Sequence, residues 1–182
     1  MERQLVEHGA ATLASLKAGS VFRYRPEDYP ALMRETAFWD ARLRRMGVRL
    51  RVLCWDGSVA LMYLWRPAQL AASLAQPGAA ALLSRCGYAS AEPEAATEQL
   101  IRRLKAGGDF PHELGLFLGY PMEDVEGFIQ HQGRDCKFTG CWKVYGDAEA
   151  AAQRFRRLRR CRNLYARLWR AGVSVERLTV AA

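Results

Sequence analysis

The sequence predicts an α+β protein built as a single domain, residues 1–182, in which a small and mainly antiparallel sheet is covered by helices. The main observation is a hairpin: two β-rich runs, 49–55 and 59–65, flank Asp56-Gly57, a dipeptide typical of tight turns. Amphipathic segments with helical period lie on both sides of this hairpin. No internal repeat or long linker interrupts the chain, and its length fits one domain with a substantial core.

About four strands are expected in this sheet, namely 20–25, 49–55, 59–65 and 141–145. The run at 59–65 is apolar at nearly every position, which indicates a central strand covered on both faces. In the segment at 141–145 apolar and polar side chains alternate, which places Lys143 and Tyr145 on the same face.

About six or seven helices should cover the sheet, because apolar residues recur with helical period between the strands. The segments are 2–17, 27–46, 68–75, 79–86, 92–105, 122–131 and 148–170. A shorter helix is expected from 111 to 118. Asp147 is a suitable N-cap for the last long helix, and Gly172 is a suitable stop at its C-terminus. The apolar tail beyond it should pack back onto the domain.

Composition predicts a cytoplasmic protein without a membrane segment. Hydrophobic residues make up 50% of the chain and charged residues 25%, which is ordinary for a globular domain. No apolar run approaches the roughly 20 residues that a bilayer span requires, and the N-terminus lacks the pattern of a signal peptide. The five cysteines have irregular spacing, which argues against a secreted disulfide framework.

The chain carries a net charge of +8, from 27 basic and 19 acidic residues. A basic surface attracts nucleic acid, anionic lipid, acidic proteins or phosphorylated small molecules. The same balance also arises in an arginine-rich chain from a GC-biased proteome. Net charge alone therefore leaves the partner open.

Candidate catalytic residues lie in the segment 111–147, where reactive side chains are interspersed with glycines and large apolar residues. His112 is a candidate general base, because histidine changes charge near neutral pH, and Glu113 beside it is expected to support the proton transfer. The pair does not start a zinc-protease motif, since Leu116 stands where a second histidine is needed. A histidine bonded to a backbone carbonyl is the structural alternative.

Four further residues are candidates for ligand binding: Lys17, Tyr120, Lys143 and Tyr145. Lys17 and Lys143 are expected to hold negative charge, helped by the aromatic hydroxyl of Tyr145. Both lysines also have structural interpretations. A lysine at a helix end satisfies the helix dipole, and one on an edge strand discourages association between sheets. The carboxylates of Glu123 and Asp124 are interpreted as capping charges at a helix N-terminus.

Cys136 and Cys141 raise the hypothesis of a metal site. Their spacing differs from the two-residue spacing of a zinc knuckle or a dithiol redox pair. A tetrahedral site would need two more ligands, for which His112, His131 and Cys161 are the candidates. The sequence identifies no cofactor, and metal binding remains an alternative.

The last long helix suggests a second alternative, an interaction module. It carries eight arginines, of which one outward stripe contains Arg156, Arg160, Arg167 and Arg170. Such a surface suits nucleic acid or an acidic redox protein such as a flavodoxin. An ordinary solvated helix face is the structural alternative.

Two central patterns carry a family resemblance. They are HELGLFLGYPMEDVEGFI at 112–129 and CKFTGCWKVYGD at 136–147, with further pieces LASLKAGSVF at 13–22 and ERLTV at 176–180. On these residues the chain resembles the bacterial family Domain of Unknown Function 3793 over nearly its whole length. The matching positions include Lys17, His112, Glu113, Gly115, Gly119, Tyr120, Pro121, Asp124, Gly140, Trp142, Lys143 and Tyr145. The resemblance implies a small cytosolic bacterial protein and names neither an activity nor a cofactor.

We therefore expect an enzyme or accessory binding protein whose small anionic ligand lies between Lys17, His112, Glu113, Lys143 and Tyr145. In this hypothesis the lysines hold the charge and His112 transfers a proton. The hypothesis requires these side chains to converge in the folded protein. A structure with His112 and Lys143 on opposite sides would exclude it.

Overall fold

The computed structural model describes residues 1–181 and has the α+β architecture predicted from the sequence. Its main sheet consists of β1 (Gly19–Tyr24), β2 (Arg49–Trp55) and β3 (Ala60–Trp65). The strand order is β1-β3-β2, and both pairings are antiparallel. β3 is therefore central, as its continuous apolar sequence predicted, and every residue in it except Leu61 is buried.

The turn between β2 and β3 confirms the predicted hairpin. The Asp56 carboxylate accepts hydrogen bonds from the backbone N–H groups of Ser58 (2.9 Å) and Val59 (2.7 Å). Gly57 has a φ of +99°, a conformation that residues with a Cβ rarely adopt. The Asp-Gly pair thus supplies both the acceptor and the backbone conformation that the turn requires.

Nine helices accompany the strands within residues 1–181. They are α1 (Glu2–Leu13), α2 (Tyr29–Arg44), α3 (Pro67–Leu74), α4 (Ala79–Arg85), α5 (Pro93–Ala106), α6 (Leu114–Phe117), α7 (Met122–Gln130), α8 (Ala148–Arg170) and α9 (Val175–Leu178). The helix expected at 111–118 is present only as the single turn α6, and α9 was not predicted because a single turn is too short to show a helical period. None of the nine is long and apolar enough to cross a membrane.

The fourth predicted strand does not join the main sheet, which corrects the expectation of one sheet with about four strands. Only Lys143–Val144 (β5) is extended in a ladder, and it pairs with Phe138–Thr139 (β4) as a separate second hairpin. The two backbone N–H groups that follow β5 donate to the carboxylate of Asp124 on α7. A side chain therefore takes the donors that would otherwise extend the ladder.

The main sheet separates two hydrophobic cores. On one face, Met62 and Leu64 of β3 pack with α1, α2 and α9. On the other face, Tyr63 and Trp65 pack with α3 to α7. A smaller third cluster joins the second hairpin to α8. The apolar tail predicted to pack back does so as α9, whose two apolar residues are buried.

The helix α1 ends earlier than predicted, and this end determines the position of Lys17, a candidate site residue. The helix ends at Leu13, instead of at residue 17, because Ser15 adopts a left-handed conformation with φ +58°. The N–H groups of Ser15 and Leu16 then donate back to carbonyls of the last turn, as in a Schellman motif. Lys17 therefore lies beyond the helix, in the turn that leads into β1.

A buried arginine stabilises this end of α1 by hydrogen bonds. Arg66 follows β3, is 3% exposed, and donates to the carbonyls of Thr12 (2.6 Å), Leu13 (2.7 Å) and Val180 (2.6 Å). Its backbone N–H donates to the carbonyl of Ala18 at 2.8 Å. One residue therefore ties together α1, the turn after it and the C-terminal tail.

Candidate functional site

Tyr120, between α6 and α7, is at the centre of the candidate site. Its ring stacks on that of Trp142 with centroids 4.5 Å apart, and Trp142 meets Phe155 of α8 edge-on at 4.4 Å. Two cavities share Tyr120 as part of their lining. We call them the cationic cavity and the aromatic cavity, after the side chains that characterise each.

Asp124 holds the second hairpin against α7. Its buried carboxylate accepts from the indole N–H of Trp142 (2.7 Å) and from the backbone N–H groups of Tyr145 (2.8 Å) and Gly146 (2.9 Å). Asp124 does lie in the first turn of α7, as predicted for a charge at a helix N-terminus, but it forms no capping hydrogen bond and its side chain points into the protein. This network fixes the position of Trp142 and hence of the ring stacked on it.

The cationic cavity has a volume of about 460 Å³ and lies where the turn after α1 meets α3 and the start of α8. Its lining consists of Ser15, Leu16, Lys17, Ala18, Gln69, Ala72, Ser73, Gln76, Gly119, Tyr120, Pro121 and Arg154. Gln69 of α3 donates to both the carbonyl (2.9 Å) and the hydroxyl (2.7 Å) of Ser15. These bonds fix the turn that presents Lys17 to the cavity.

Lys17 has an ammonium group without a hydrogen-bond partner among residues 1–181. Its Nζ lies over the ring of Tyr120, 5.1 Å from the centroid. Burial lowers the pKa of Lys17 to about 8; the thiol of Cys141 acts against this shift, and the positive charge of Arg154 acts in the same direction as burial. A charged group in this environment is poorly compensated by the protein.

Arg154 of α8 supplies a second positive charge. Its Nη2 donates to the carbonyl of Gly119 at 2.9 Å, and its guanidinium lies 5.4 Å from the centroid of the Trp142 ring. Burial lowers the pKa of Arg154 from its ordinary value, and the charge of Arg157 contributes. No carboxylate between residues 1 and 181 forms an ion pair with Arg154. Two partly desolvated cations therefore line one cavity, and neither forms an ion pair with a carboxylate of the described residues.

The aromatic cavity has a volume of about 310 Å³ and lies between α6, α7 and the second hairpin. It is lined by Phe110, His112, Leu114, Gly115, Leu118, Tyr120, Asp124, Val125, Phe128, Thr139, Gly140, Cys141, Trp142 and Lys143. Three predicted site residues, His112, Tyr120 and Lys143, belong to this lining. His112 and Lys143 are thus brought to one cavity and do not lie on opposite sides.

His112 and Glu113 face different surroundings. The ring of His112 is exposed and lies 5.0 Å from that of Phe128, and no described residue forms a hydrogen bond with it. The carboxylate of Glu113 is buried, accepts from the hydroxyl of Tyr88 (3.0 Å) and pairs with Arg103 (3.1 Å). The structure therefore does not bring Glu113 to His112. The predicted helix at 111–118 is reduced to α6, which begins after both residues.

The side chains of Lys143 and Tyr145 both donate hydrogen bonds to the loop after α7. Lys143 Nζ donates to the carbonyl of Gly133 and lies 6.0 Å from the ring centroid of Phe128. The Tyr145 hydroxyl donates to the carbonyl of Arg134 at 2.9 Å, and the ring stacks on His131. Tyr145 lines neither of the two cavities.

Cys136 and Cys141 are both free thiols. Cys136 Sγ lies 3.3 Å from the hydroxyl of Thr139, whereas Cys141 is exposed and lines the aromatic cavity. Among residues 1–181, no group of three or more His, Cys, Asp and Glu side chains is arranged to hold a metal ion. The additional ligands that the metal hypothesis requires are therefore not gathered around this pair.

The outer side of α8 presents what we call the arginine surface. It consists of the exposed residues Arg156, Arg157, Arg159, Arg160, Arg162, Arg167 and Arg170. None of them forms an ion pair within residues 1–181, whereas arginines of α2, β2, α4 and α5 do. Leu164 and Leu168 are exposed beside them on the same helix.

Arg154 was not predicted as a site residue, although the sequence contained a signal for it. It falls between Ala151 and Leu158 on the inner face of α8, where a charged side chain needs a partner or a ligand. Gln69 carried no comparable signal, because its role depends on contact with Ser15, which is 54 positions away in the chain.

Comparison with protein-family models gives one match, to the family described as a protein of unknown function, DUF3793, over residues 5–179. No curated protein and no solved structure matches the chain.

Proposed function

We propose that this chain, which belongs to the DUF3793 family, binds a small anionic ligand in the cationic cavity, between Lys17 and Arg154. The observation that carries the proposal is that both cations are partly desolvated and lack a carboxylate partner in residues 1–181. The proposal narrows the site expected from the sequence. It retains Lys17 and Tyr120 and adds Arg154.

The electrostatics support an anion at this position. Two positive charges that are close together and poorly hydrated raise the free energy of the folded protein. The lowered pKa of Lys17 reflects this cost, because it means that the environment disfavours the ammonium form. An anion that contacts both groups offsets the repulsion and restores hydrogen bonds to each.

The donors and the volume of the cavity also restrict the chemistry and the size of the ligand. A guanidinium presents a planar fork that matches a carboxylate or a phosphate, and one donor of Arg154 is already fixed on Gly119. The volume of about 460 Å³ suits a small molecule. The five cysteines are all free thiols, which supports the proposal that the protein works in a reducing cytoplasm.

Replacing Lys17 or Arg154 with methionine is expected to weaken the binding of sulfate, used as a probe, by about 10- to 100-fold. Each substitution keeps an unbranched, flexible side chain but removes one charged donor. Isothermal titration calorimetry of the purified variants measures the loss. Lys105→Met is the matched control, since Lys105 is exposed, lacks an ion partner within residues 1–181 and lines neither cavity. Equal sulfate affinity in all three variants and the parent would contradict the proposal.

Sulfate affinity should also depend on pH through Lys17. Anion binding raises the pKa of Lys17 above its free value of about 8. The favourable interaction is therefore fully present below that value and is lost as the pH rises through it, by up to about tenfold per pH unit. Sulfate keeps its charge over this range, so the probe adds no titration of its own. Lys17→Arg should flatten the profile, because arginine stays protonated; an unchanged profile in this variant would exclude Lys17 as the titrating group.

The arginine surface supports a second candidate function, docking of an acidic protein. The absence of ion partners for its seven arginines within residues 1–181 leaves their charge available. The exposed Leu164 and Leu168 favour a protein over nucleic acid, because a phosphate backbone offers little apolar surface.

Charge reversal tests this second function. The double variant Arg156→Glu/Arg160→Glu should lose binding to an acidic flavodoxin, measured by surface plasmon resonance, and the parent's binding should weaken steeply with salt. The control is Arg34→Glu/Arg45→Glu, which reverses two exposed and unpaired arginines elsewhere. Binding of duplex DNA without flavodoxin would identify nucleic acid as the partner instead. Equal loss in both double variants would show only a general effect of net charge.

A further inference from the structure

We infer that Lys17 is a nucleophile that forms an imine with a small aldehyde or ketone whose carboxylate or phosphate group is held by Arg154. This inference rests on the proposed anion site and names the substrate class of that site. It is carried by the position of the amine in the cavity and by the absence of a hydrogen bond or an ion pair to that amine within residues 1–181.

The geometry leaves the Lys17 amine available. Its Nζ lies over the face of the Tyr120 ring, 5.1 Å from the centroid, and its side chain lines the cavity. Turn geometry holds the residue in place, because Gln69 bonds the preceding Ser15 twice. A fixed amine at the wall of a cavity is positioned to attack an electrophile bound there.

The other lysines of the chain lack this combination. There are four lysines in all. Lys137 and Lys143 donate to the carbonyls of Gly146 and Gly133, respectively, and Lys105 is exposed to solvent. The α-amino group of Met1 is paired with Glu35 at 3.1 Å. Lys17 is therefore the amine whose surroundings differ most from those of an ordinary surface lysine.

Nucleophilic attack requires the neutral amine. Burial, together with the nearby charge of Arg154, lowers the pKa of Lys17 to about 8, so roughly a tenth of the amine is neutral at neutral pH. A bound anion favours the ammonium form and so opposes this effect. In this inference Arg154 binds the anionic group of the substrate, so that Lys17 can remain neutral and act as the nucleophile. Both residues are therefore needed in one cavity.

The step balances without an oxidant or a reductant. The nitrogen lone pair forms a bond to the carbonyl carbon, the electron pair of the C=O bond moves to oxygen, and that oxygen gains a proton while nitrogen loses one. Loss of water from the resulting carbinolamine gives the imine. Tyr120 lines the cavity and can donate a proton to the oxygen, because burial raises its pKa to about 12 and keeps it protonated.

Reductive trapping tests the inference with glyoxylate, a small anionic aldehyde, and sodium cyanoborohydride at about neutral pH. Peptide mass spectrometry should find the reduced adduct mainly on Lys17, with labelling at least about tenfold faster than on Lys105. Acetaldehyde, which has no anionic group, should lose most of this preference. Arg154→Met should reduce labelling by glyoxylate much more than labelling by acetaldehyde, because acetaldehyde loses only the effect of Arg154 on the Lys17 amine, whereas glyoxylate also loses its anion partner. Cys141→Ser removes a thiol that lines a neighbouring cavity together with Lys17. This variant should still label mainly on Lys17, which excludes transfer of the aldehyde from the thiol.

Each outcome separates this inference from the proposed function. If sulfate binding depends on Lys17 and Arg154 but glyoxylate labels all lysines equally, the imine is excluded and the anion site stands. Preferential labelling of Lys17 by both aldehydes, without sulfate binding, would exclude the anion site and its substrate class. Protection of Lys17 by excess sulfate supports both, because the anion then occupies the place of the substrate.

Discussion

Replacing Arg66 with methionine is expected to lower the free energy of unfolding by about 3–5 kcal/mol. Methionine preserves most of the packed volume but removes three hydrogen bonds, to the carbonyls of Thr12, Leu13 and Val180. The carbonyls would be left without their donor in a buried region, and this is the costly part of the change. Urea denaturation followed by circular dichroism measures the difference.

The matched control for this change is Arg23→Met on β1. Arg23 is exposed and has no ion partner within residues 1–181, so its replacement should change stability by less than about 0.5 kcal/mol. Arg66→Lys should be intermediate, because one ammonium cannot reproduce the fork of donors. A loss below about 1 kcal/mol in the methionine variant would show that the three carbonyls find other partners.

Asp124→Asn is expected to cost about 2–4 kcal/mol although it changes the shape of the side chain very little. The amide oxygen can still accept from the two backbone N–H groups after β5. Its NH₂ group then faces the indole N–H of Trp142, which places two donors against each other at a site where the carboxylate now accepts at 2.7 Å. Denaturation by urea again provides the measurement.

A second substitution shows whether this clash is the cause. Trp142→Phe removes the indole donor, so the double variant with Asp124→Asn should recover about 1–2 kcal/mol relative to the sum of the single effects. Glu126→Gln is the control on α7, because its ion pair with Arg85 is solvent-exposed and is worth at most about 1 kcal/mol. Strict additivity of the two substitutions would mean that Asp124 acts through another contact.

Local patterns were sufficient to predict most of the secondary structure. The Asp56-Gly57 turn contains its own acceptor and its own left-handed residue, so nothing distant is needed to form it. The continuous apolar run of β3 likewise indicated a strand covered on both faces, and it lies at the centre of the sheet. Family membership was also predicted, because long patterns around α6, α7 and the second hairpin carried the resemblance.

Features that depend on tertiary contacts were not predicted. The end of α1 requires a left-handed Ser15, which two bonds from Gln69 help to hold, and the usual sequence signal at that position is glycine. The length of the fourth strand depends on Asp124, a side chain that precedes it by about twenty residues and takes its backbone donors.

The arrangement of the candidate site also depends on tertiary contacts and was not predicted. Its residue types were recognised, but the sequence could not say which of them share a cavity. Glu113 pairs with Arg103 of α5, a partner that no local pattern reveals. Lys17 and Arg154 come from opposite ends of the chain, so their meeting is a property of the completed fold.

The fastening of α1 has a consequence for the order of assembly during synthesis. Arg66 bonds a carbonyl 114 positions further along the chain, and Cys161 of α8 reaches the carbonyl of Ala10 over 151 positions. Contacts of such separation form late, because the ribosome must first release the segments that complete them. The hairpin of β2 and β3 can form early in synthesis. In contrast, α1 cannot complete its contacts until α8 and α9 have been synthesised. The cationic cavity therefore closes only after α8 has been synthesised, and a product truncated before Arg154 would expose Lys17 without its partner cation.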